Sequence, residues 1–481
     1  MKSVCRVMAV STLIVLVAAG CESNNNSELS EKSAELRVSI RAESGGGGLA
    51  AFTLPEYDDY ASMPQDPNNP ITAEKVALGK MLYHETSVST AGLNGTRNGT
   101  WSCAACHHVD AGFKAGIPQG IAEGGEDFGL AGEERVMAAG FSFDEGLTDD
   151  AKKPDIQGIA SPAVLNIAYQ DVMLWNGALG NTEGSNINSG IAGVESFGPP
   201  NTFANRFELS GIETQAIAGT RVHRLNFDNL RTDVSYQEMY EAAYPNIGDE
   251  GTIPADSTVT LTALGAAKAI AAYERTIVAS RAPFQQWLKG NENAMTLQQV
   301  KGALLFFGKA GCVDCHKGPA LSSEEGTTAD QIFFNIGFAD FAFGADSVDG
   351  NPLIHGSAAT NGDFSDGRGG FTGIADDNYK FKIPQLYNLT DTDVLGHGAS
   401  FSSVREVIEY KNAAIPQEDR GNIDLRFVPL NLSDEEITQL TDFIENGLYD
   451  HELSRHAPDH VMSDECFPVA DDLAKDDLSC L

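Results

Sequence analysis

Apolar residues recur at helical spacing in three stretches of this chain. The stretches cover residues 71–82, 261–277 and 296–307, and in each the apolar positions lie three and four residues apart. Each pattern predicts an amphipathic helix. Signals for strands are few and short. The sequence therefore predicts a mainly α protein with long loops.

Two parts of the chain repeat the same order of features. In each, a predicted helix leads through a short loop to a Cys-x-x-Cys-His motif, which is followed by a long segment rich in Gly and Asp. The motifs read Cys103-Ala104-Ala105-Cys106-His107 and Cys312-Val313-Asp314-Cys315-His316. Repetition of this kind predicts two similar domains, which we place at residues 69–285 and 286–450.

The spacing of the two motifs is that of covalent haem attachment. The two thiols of each motif lie on one turn and can form thioethers with the haem vinyl groups, while the following histidine offers its imidazole to the iron. A thioredoxin-like thiol pair or half a zinc site would not need a histidine directly after both second cysteines. We therefore predict two cytochrome c-like haem domains, with two covalently bound haem c groups. Their predicted ligands are Cys103, Cys106, His107, Cys312, Cys315 and His316.

The charge of the chain narrows the classes of partner. The formal net charge is -36, from 68 acidic and 32 basic residues. A polyanion would be repelled by most of such a surface, which argues against nucleic acid as a partner. Two interpretations remain, a solvated acidic surface and a surface that attracts a positively charged donor protein.

The N-terminus reads as a targeting segment. Residues 1–21 have a basic start, an apolar run and small residues before Cys21. They resemble a bacterial lipoprotein signal, in which the cysteine is lipidated, and the alternative is an ordinary cleaved signal peptide. The protein is then expected in the periplasm or on the outer surface, touching the membrane only through a lipid anchor. Residues 22–68 are rich in Ser, Asn, Glu and Gly and predict a flexible tether.

Two further cysteines lie near the C-terminus. Cys466 and Cys480 belong to a polar, acidic tail that we place at residues 451–481. Outside the cytoplasm a disulfide between these two is favoured over two free thiols. The sequence therefore predicts one disulfide in addition to the haem motifs.

Beyond the motifs, residues from about 70 to 450 resemble the bacterial di-haem cytochrome c peroxidase family, which includes the MauG-like enzymes. The similar segments occur in the family's order and at similar spacing. They are Leu78–Tyr83, Ser102-Cys103, Ser161–Asn166, Leu174–Gly177, Ile212–Ala216, Tyr273–Thr276, Phe334–Gly337, Asp366–Arg368, Phe381–Asn388 and Gly396–Gly398. Each segment is a weak signal alone, and together they are a strong one.

The resemblance implies an activity. In that family hydrogen peroxide reacts at the N-terminal haem, and the C-terminal haem passes electrons that a periplasmic donor protein supplies. A tryptophan lies between the haems, and Trp175 matches it, so it is either an electron relay or a packed core aromatic. A MauG-like enzyme that oxidises Tyr or Trp of a partner protein is one alternative. A non-catalytic electron-transfer cytochrome is the other.

The chain departs from the family's pattern around the first haem. No histidine follows His108 until His223, so the usual capping histidine is missing and the His107 iron is expected to have an open sixth position. The usual distal glutamate is also missing, because Leu225 lies ten residues after the matched Gln215. We predict that His223 replaces it as acid and base, with cationic help from Arg221 or Arg224. The alternatives for His223 are an iron ligand and a surface histidine.

The sixth ligand of the second haem stays open at this stage. Counting from His397, which matches a family histidine near that haem, leads to Lys411, and Tyr410 is adjacent. Thioether, phenolate and amine ligands set very different potentials. The family's calcium site is in doubt, because Ala160 stands where a ligating asparagine is usual. The remaining histidines are expected to be solvated or hydrogen-bonded (His84, His108, His355) or at the surface of the acidic tail (His451, His456, His460).

Overall fold

The computed structural model of this protein describes residues 27–90, 98–142, 153–156, 158–180, 207–253, 257–322, 329–341 and 366–480. Its main regular elements are helices. In chain order they are α1 (residues 27–43), α2 (Ala73–His84), α3 (Gly211–Val222), α4 (Gln237–Ala243), α5 (Leu261–Glu274), α6 (Pro283–Leu288), α7 (Leu297–Phe306), α8 (Ala329–Ile332), α9 (Arg368–Thr372), α10 (Val404–Ala413), α11 (Asp434–Asp442) and α12 (Asp472–Asp477). The mainly α prediction is confirmed.

The strands of the described ranges are short and form three antiparallel pairs. They are β1 (Gly125–Glu126) with β2 (Val136–Met137), β3 (Val172–Met173) with β4 (Leu179–Gly180), and β5 (Phe333–Phe334) with β6 (Phe381–Lys382). Pair β5–β6 closes a loop of the second half, and pair β3–β4 flanks Trp175. The strands therefore shape loops and do not build a core sheet.

The first half is organised around a close crossing of α2 and α5. Thr72 caps α2 by accepting a hydrogen bond from the Lys75 amide at 3.2 Å. A Cβ atom on Gly79 would lie 1.9 Å from the carbonyl oxygen of Ala269, so the two backbones touch where a side chain is missing. Helix α5 is rich in buried alanine, which permits the same close approach from its side.

The second half repeats this crossing with α7 and α11. A Cβ atom on Gly302 would lie 2.0 Å from the carbonyl oxygen of Gln439. Both helices begin with a capping box, Thr296 with Gln299 and Ser433 with Glu436. In each half the helix before the motif thus packs against a helix near the end of that half.

A second repeated feature follows the motifs. Asn166 and Asn388 both adopt left-handed backbone conformations, with φ of 59° and 52°, and each precedes a short 3₁₀ turn. The Asn166 Oδ1 atom accepts from the Ala279 amide at 2.9 Å, and the Asn388 Oδ1 atom accepts from the Asp450 amide at 3.0 Å. The two halves therefore share a plan in their loops as well as in their helices.

The expected flexible tether at residues 22–68 is wrong for the described residues 27–68. Leu36 and Ile40 lie one helical turn apart on α1 and are fully buried in the main core. Arg37 pairs with Glu292 at 2.8 Å, and the Leu54 amide donates to Oε1 of Gln285 at 2.7 Å. The segment is polar on average, but one apolar face is enough to anchor it.

The acidic tail at residues 451–481 is also a folded part of the molecule over its described residues. Trp101 forms a β-bridge with Val469, and the hydroxyl of Ser102 donates to the carbonyl of Pro468 at 2.8 Å. Cys466 and Cys480 form the disulfide that the sequence analysis expected. The last segment therefore covers the chain directly before the first motif.

One histidine of this segment differs from expectation. His451 and His460 are exposed, but His456 is only 2% exposed, so its prediction as a surface residue is wrong. Its ring packs edge-on against Tyr57 and Phe113, with centroid distances of 5.8 and 6.1 Å. Neighbouring acidic residues in the sequence concealed this packing.

The described helices were also compared with the length of a membrane span. None of them is long and apolar enough to cross a bilayer. Residues 1–26, with the predicted signal and Cys21, lie outside the described residues, as does His355.

Candidate functional site

Each Cys-x-x-Cys-His motif folds into one tight turn. The 3₁₀ turns Cys103–Ala105 and Cys312–Asp314 place the histidine amide on the carbonyl of the first cysteine, at 3.1 Å for His107 and 2.9 Å for His316. All four thiols of the motifs are unpaired. Burial raises their pKa values, to about 12 for Cys106 and for Cys312, so they are not exposed redox thiols. Both motifs are therefore free to form thioethers.

The two motif histidines are held as neutral rings. His316 places Nδ1 at 2.8 Å from the carbonyl oxygen of Leu321, which can only accept, so Nδ1 carries the proton and Nε2 keeps its lone pair. Burial lowers the pKa of His316 to about 4. Burial also lowers the pKa of His107 to about 4, with a further contribution from His223. Neutral imidazole is the form that binds a metal.

A cavity of about 530 Å³ adjoins the second motif, which is within the range of ligand and cofactor sites. Cys312, Cys315 and His316 all line it. The remaining wall is largely apolar and includes Phe306, Ala310, Ile336, Phe427, Leu440 and Ile444. Two thiols and an imidazole on an apolar cavity of this size fit a haem c group.

The surroundings of the first motif fit the same group. A Cβ atom on Gly120 would lie 2.8 Å from the Sγ atom of Cys106. Only glycine therefore fits beside this sulfur. The Nδ1 atom of His107 is buried and has no hydrogen-bond partner among the described residues. The hydroxyl of Tyr83 donates to the His107 carbonyl at 2.9 Å and fixes the backbone there. The donor set therefore matches that of the second motif.

His223 lies close enough to the first motif to lower the pKa of His107, and it is paired with a carboxylate. Its Nδ1 atom lies 2.8 Å from Oδ2 of Asp155, and a carboxylate only accepts, so Nδ1 donates and Nε2 is left with a free lone pair. Burial lowers the pKa of His223, but the charge of Asp155 and this hydrogen bond outweigh burial and leave the pKa above its ordinary value. The ring is thus a positioned base that its carboxylate stabilises when protonated.

The fold holds both members of this pair from the backbone. His223 directly follows α3, where its amide donates to Gly219 at 3.0 Å and its carbonyl accepts from the Trp101 indole at 2.9 Å. The Asp155 amide donates to the Glu123 carbonyl at 2.8 Å. Although 37% of the His223 side chain is exposed, it is tied to a buried carboxylate that is 5% exposed, unlike a free surface histidine.

Three other residues were predicted for the first site, and the structure describes the side chains of two of them. Gln215 lies two turns before His223 on α3, and its Oε1 atom is buried without a hydrogen-bond partner among the described residues. Arg224 pairs with Glu123, so its charge is already compensated. The side chain of Arg221 lies outside the described residues. The structure thus places Gln215 in the first half of α3 and His223 directly after its last residue.

Trp175 lies between the two halves, on the wall of the second cavity. Its indole N–H donates to the Ala160 carbonyl at 2.8 Å, and the Ala160 amide donates to the His397 carbonyl at 2.9 Å. The Trp175 ring also meets the His397 ring edge-on, with a centroid distance of 6.2 Å. His397 itself is held by Asp340, whose Oδ1 atom is 3.0 Å from Nε2.

Of the two residues considered for the second haem, only Lys411 reaches the cavity. Lys411 lines it, and burial lowers the pKa of its amine. Tyr410 is not a lining residue, because its hydroxyl donates to the carbonyl of Ile336.

Asp155 is the functional residue that sequence reasoning missed. It lies 68 residues before His223 in the chain, in a stretch with no helix, strand or motif signal. Only the tertiary pairing of its strand-like segment with residues 121–123 brings the carboxylate to the histidine.

Comparisons with known proteins agree with this arrangement. Residues 73–293 match the family model described as di-haem cytochrome c peroxidase. The cytochrome-c peroxidase IdrP1 of Denitromonas iodatirespirans is 25% identical over 419 residues, which cover 84% of this chain and 89% of that protein. The methylamine utilization protein MauG of Methylorubrum extorquens is 25% identical over 398 residues, which cover 82% and 83%. The fold resembles the crystal structure of a MauG-like protein associated with microbial copper homeostasis, with a TM-score of 0.53, 19% identity and coverage of 84% and 98%.

Proposed function

Because this chain belongs to the di-haem cytochrome c peroxidase family, we propose that it reduces hydrogen peroxide with electrons from a donor protein. The observation that carries this proposal is the pairing of His223 with Asp155 at 2.8 Å, close enough to His107 for His223 to lower its pKa. Each peroxide takes up two electrons and two protons and leaves as two water molecules. An electron carrier would have no use for a positioned base at this place.

Two haem c groups are part of the proposal. The thiols of each motif would hold one haem covalently, and His107 and His316 would each bind an iron. Bound haem supplies the iron at which peroxide is reduced and through which electrons are delivered. Proton transfer and the relay of electrons between the two sites are proposed for side chains of this chain.

His223 is proposed to move the protons. With Nδ1 directed to Asp155, its Nε2 atom would accept a proton from one peroxide oxygen and return it to the oxygen that departs. Asp155 is a positioning residue that holds the ring and stabilises its protonated form. The free Oε1 atom of Gln215 can accept a hydrogen bond from peroxide or water in the same pocket.

Trp175 is proposed to relay electrons between the two sites. Its contacts with Ala160 and His397 fix the indole at the boundary of the two halves. Electrons would enter at the second site from a donor protein outside the cytoplasm. The predicted signal segment and the disulfide between Cys466 and Cys480 support that location.

Three measurements test the proposal. A pyridine haemochrome assay should find two haems in the purified protein and one in the Cys103→Ala/Cys106→Ala variant. Stopped-flow mixing of the oxidised protein with peroxide should then change its optical spectrum without prior reduction, because the usual capping histidine is missing. A donor cytochrome should be oxidised catalytically on adding peroxide. An unreactive protein with two low-spin irons would be an electron carrier and would overturn the proposal.

A further inference from the structure

One face of α10 forms part of the second cavity. Val404, Val407, Ile408 and Lys411 all line it, and their spacing of three and four residues places them on a single stripe of the helix. Tyr410 is one position off this stripe. The amine of Lys411 is therefore directed by the helix toward the space that the second motif borders.

Lys411 shares the cavity with the whole motif. Cys312, Cys315 and His316 line the cavity together with Lys411. The motif lies on a 3₁₀ turn, whereas Lys411 lies on α10. Lys411 and the three motif residues thus share one small space, approached from different elements of the fold.

The Lys411 amine has no acceptor of its own among the described residues. It lies over the ring of Phe427, 5.2 Å from the centroid. Asp424, a carboxylate that interacts electrostatically with Lys411, is already bound at 2.8 Å by both Nε and Nη2 of Arg426. A polar group that lines an apolar cavity without a partner is costly unless something else occupies its lone pair.

The other lysines of this cavity are satisfied. Lys309 pairs with Glu436 at 2.7 Å, Lys114 donates to the Val394 carbonyl at 3.2 Å, and Lys382 donates to the Val172 carbonyl at 2.9 Å. Lys411 differs from them in having no hydrogen-bond or ion-pair partner among the described residues, while it lines the same cavity as the motif histidine.

Other side chains that bind iron are engaged elsewhere. The Tyr410 hydroxyl donates to Ile336, and its ring packs among Phe338 and Phe401. His397 is bound to Asp340 through Nε2 and stacks on Phe381 with a centroid distance of 3.6 Å. No methionine lines the cavity in the part of the chain that the structure describes.

We infer that the amine of Lys411 is the sixth ligand of the iron bound by His316. The inference rests on haem attachment at the second motif, as proposed above, and not on peroxide chemistry. Because the Lys411 amine has no acceptor among the described residues, its nitrogen is available to an iron in this cavity. Iron with six protein and porphyrin ligands suits electron transfer and excludes peroxide from this site.

The comparison with the first site explains the division of roles. There the base near the motif is His223, which is anchored by Asp155 and is therefore held in place. At the second site the base near the motif is a flexible amine without an anchor, free to complete the coordination of the iron. The anchored base thus leaves one iron open, and the unanchored amine closes the other.

The test is spectroscopic. Electron paramagnetic resonance and near-infrared magnetic circular dichroism of the oxidised protein should show one low-spin haem with histidine and amine ligation. Lys411→Ala should convert that haem to high-spin, and added methylamine should restore the low-spin signal. Lys309→Ala is the matched control, a lysine of the same cavity whose amine is already paired, and it should leave both haem signals unchanged.

Two further variants keep the inference falsifiable if Lys411→Ala folds poorly. Lys411→Met offers a thioether at the same place and should keep the haem low-spin while raising its reduction potential. Tyr410→Phe should leave the spectrum unchanged. A Lys411→Ala protein with an unaltered spectrum, or a spectrum altered by Tyr410→Phe instead, overturns the inference. Failure of haem attachment would appear separately, as one haem in the haemochrome assay.

Discussion

Trp101 donates its indole N–H to the backbone carbonyl of His223 at 2.9 Å. Because Trp101 lies two residues before Cys103, this hydrogen bond ties the backbone at His223 to the segment that leads into the first motif. The contact uses the His223 backbone and not its ring. Substitutions at His223 therefore remove the imidazole without removing this hydrogen bond, which makes the site suitable for testing one side chain at a time.

The first prediction concerns the imidazole. His223→Ala should slow the reaction of the oxidised protein with peroxide by a factor of about 10² to 10⁴, the usual contribution of a proton-transferring group. Stopped-flow absorbance measures this rate, and the haemochrome assay should still find two haems. If His223 were an iron ligand instead, its loss would convert a low-spin iron to high-spin and speed the reaction. An unchanged rate would show that His223 is a surface histidine with no part in the reaction.

The second prediction concerns Asp155. Asp155→Asn keeps the shape of the side chain but removes the charge that raises the pKa of His223. The base must be neutral to accept a proton, so the rate rises with pH through this pKa. In the variant the acid limb of the pH–rate profile should move to lower pH, with a plateau lower than that of the native protein but higher than that of His223→Ala. A limb that stays in place would show that Asp155 does not control the ring.

The third prediction concerns Trp175. Trp175→Phe removes the hydrogen bond to Ala160 and the indole that lies beside His397. Haem content and the initial reaction with peroxide should be unchanged, while electron delivery from the second site becomes slower in rapid-mixing experiments on the reduced protein. Trp287→Phe is the control, since Trp287 is buried on α6 and does not line the cavity. Equal effects of both substitutions would make Trp175 a packing residue.

The fourth prediction concerns the two helix crossings. Gly79→Ala and Gly302→Ala should each destabilise the protein by at least about 2 kcal/mol, because the new methyl group meets a backbone carbonyl that cannot move aside. Thermal unfolding of the holoprotein measures the loss. Gly219→Ala on α3 is the control, because the nearest atom to its Cβ is 3.9 Å away. It should be neutral or stabilising by up to about 1 kcal/mol.

The fifth prediction concerns acid stability. Burial lowers the pKa of His456 to about 3. Between this value and the ordinary histidine pKa, His456 is protonated in the unfolded chain and neutral in the folded protein. The free energy of unfolding should fall as the pH drops from about 6.5 toward 3, by on the order of a few kcal/mol from this residue alone. His456→Gln removes that dependence. Its deficit against the native protein, measured by urea unfolding, should be largest at neutral pH and shrink on acidification.

Local patterns were sufficient for the main helices and for the motifs. The stretch 296–307 was predicted as a helix and is observed as Leu297–Phe306, because its capping box and its apolar stripe are both local signals. Helix α1 escaped notice because only Leu36 and Ile40 mark its buried face within a polar segment. The partner of His223 escaped notice because a hydrogen bond across 68 residues leaves no trace in spacing.

The sequence does not show which of two neighbouring helical residues points into a cavity, and the structure does. Counting along the chain led to Lys411 but left Tyr410, one residue away, as an alternative, although neighbouring helical positions point about 100° apart. The structure separates them, since the first lines the cavity and the second donates to Ile336. The burial of His456 is a similar case, because its exposure depends on which rings lie above it.

The return of the C-terminal segment to the first half has a consequence for how the chain folds. Ser102 and Pro468 are hydrogen-bonded although 366 residues separate them, and Tyr273 donates to the His456 carbonyl across 183 residues. Contacts of such long range form slowly, because the entropy cost of closing a very large loop comes before the contacts stabilise the fold. The helices of the first half can pack early, but the cover over its motif depends on pairing with residues 366 positions later in the chain. The first half is thus completed only after that long loop has closed.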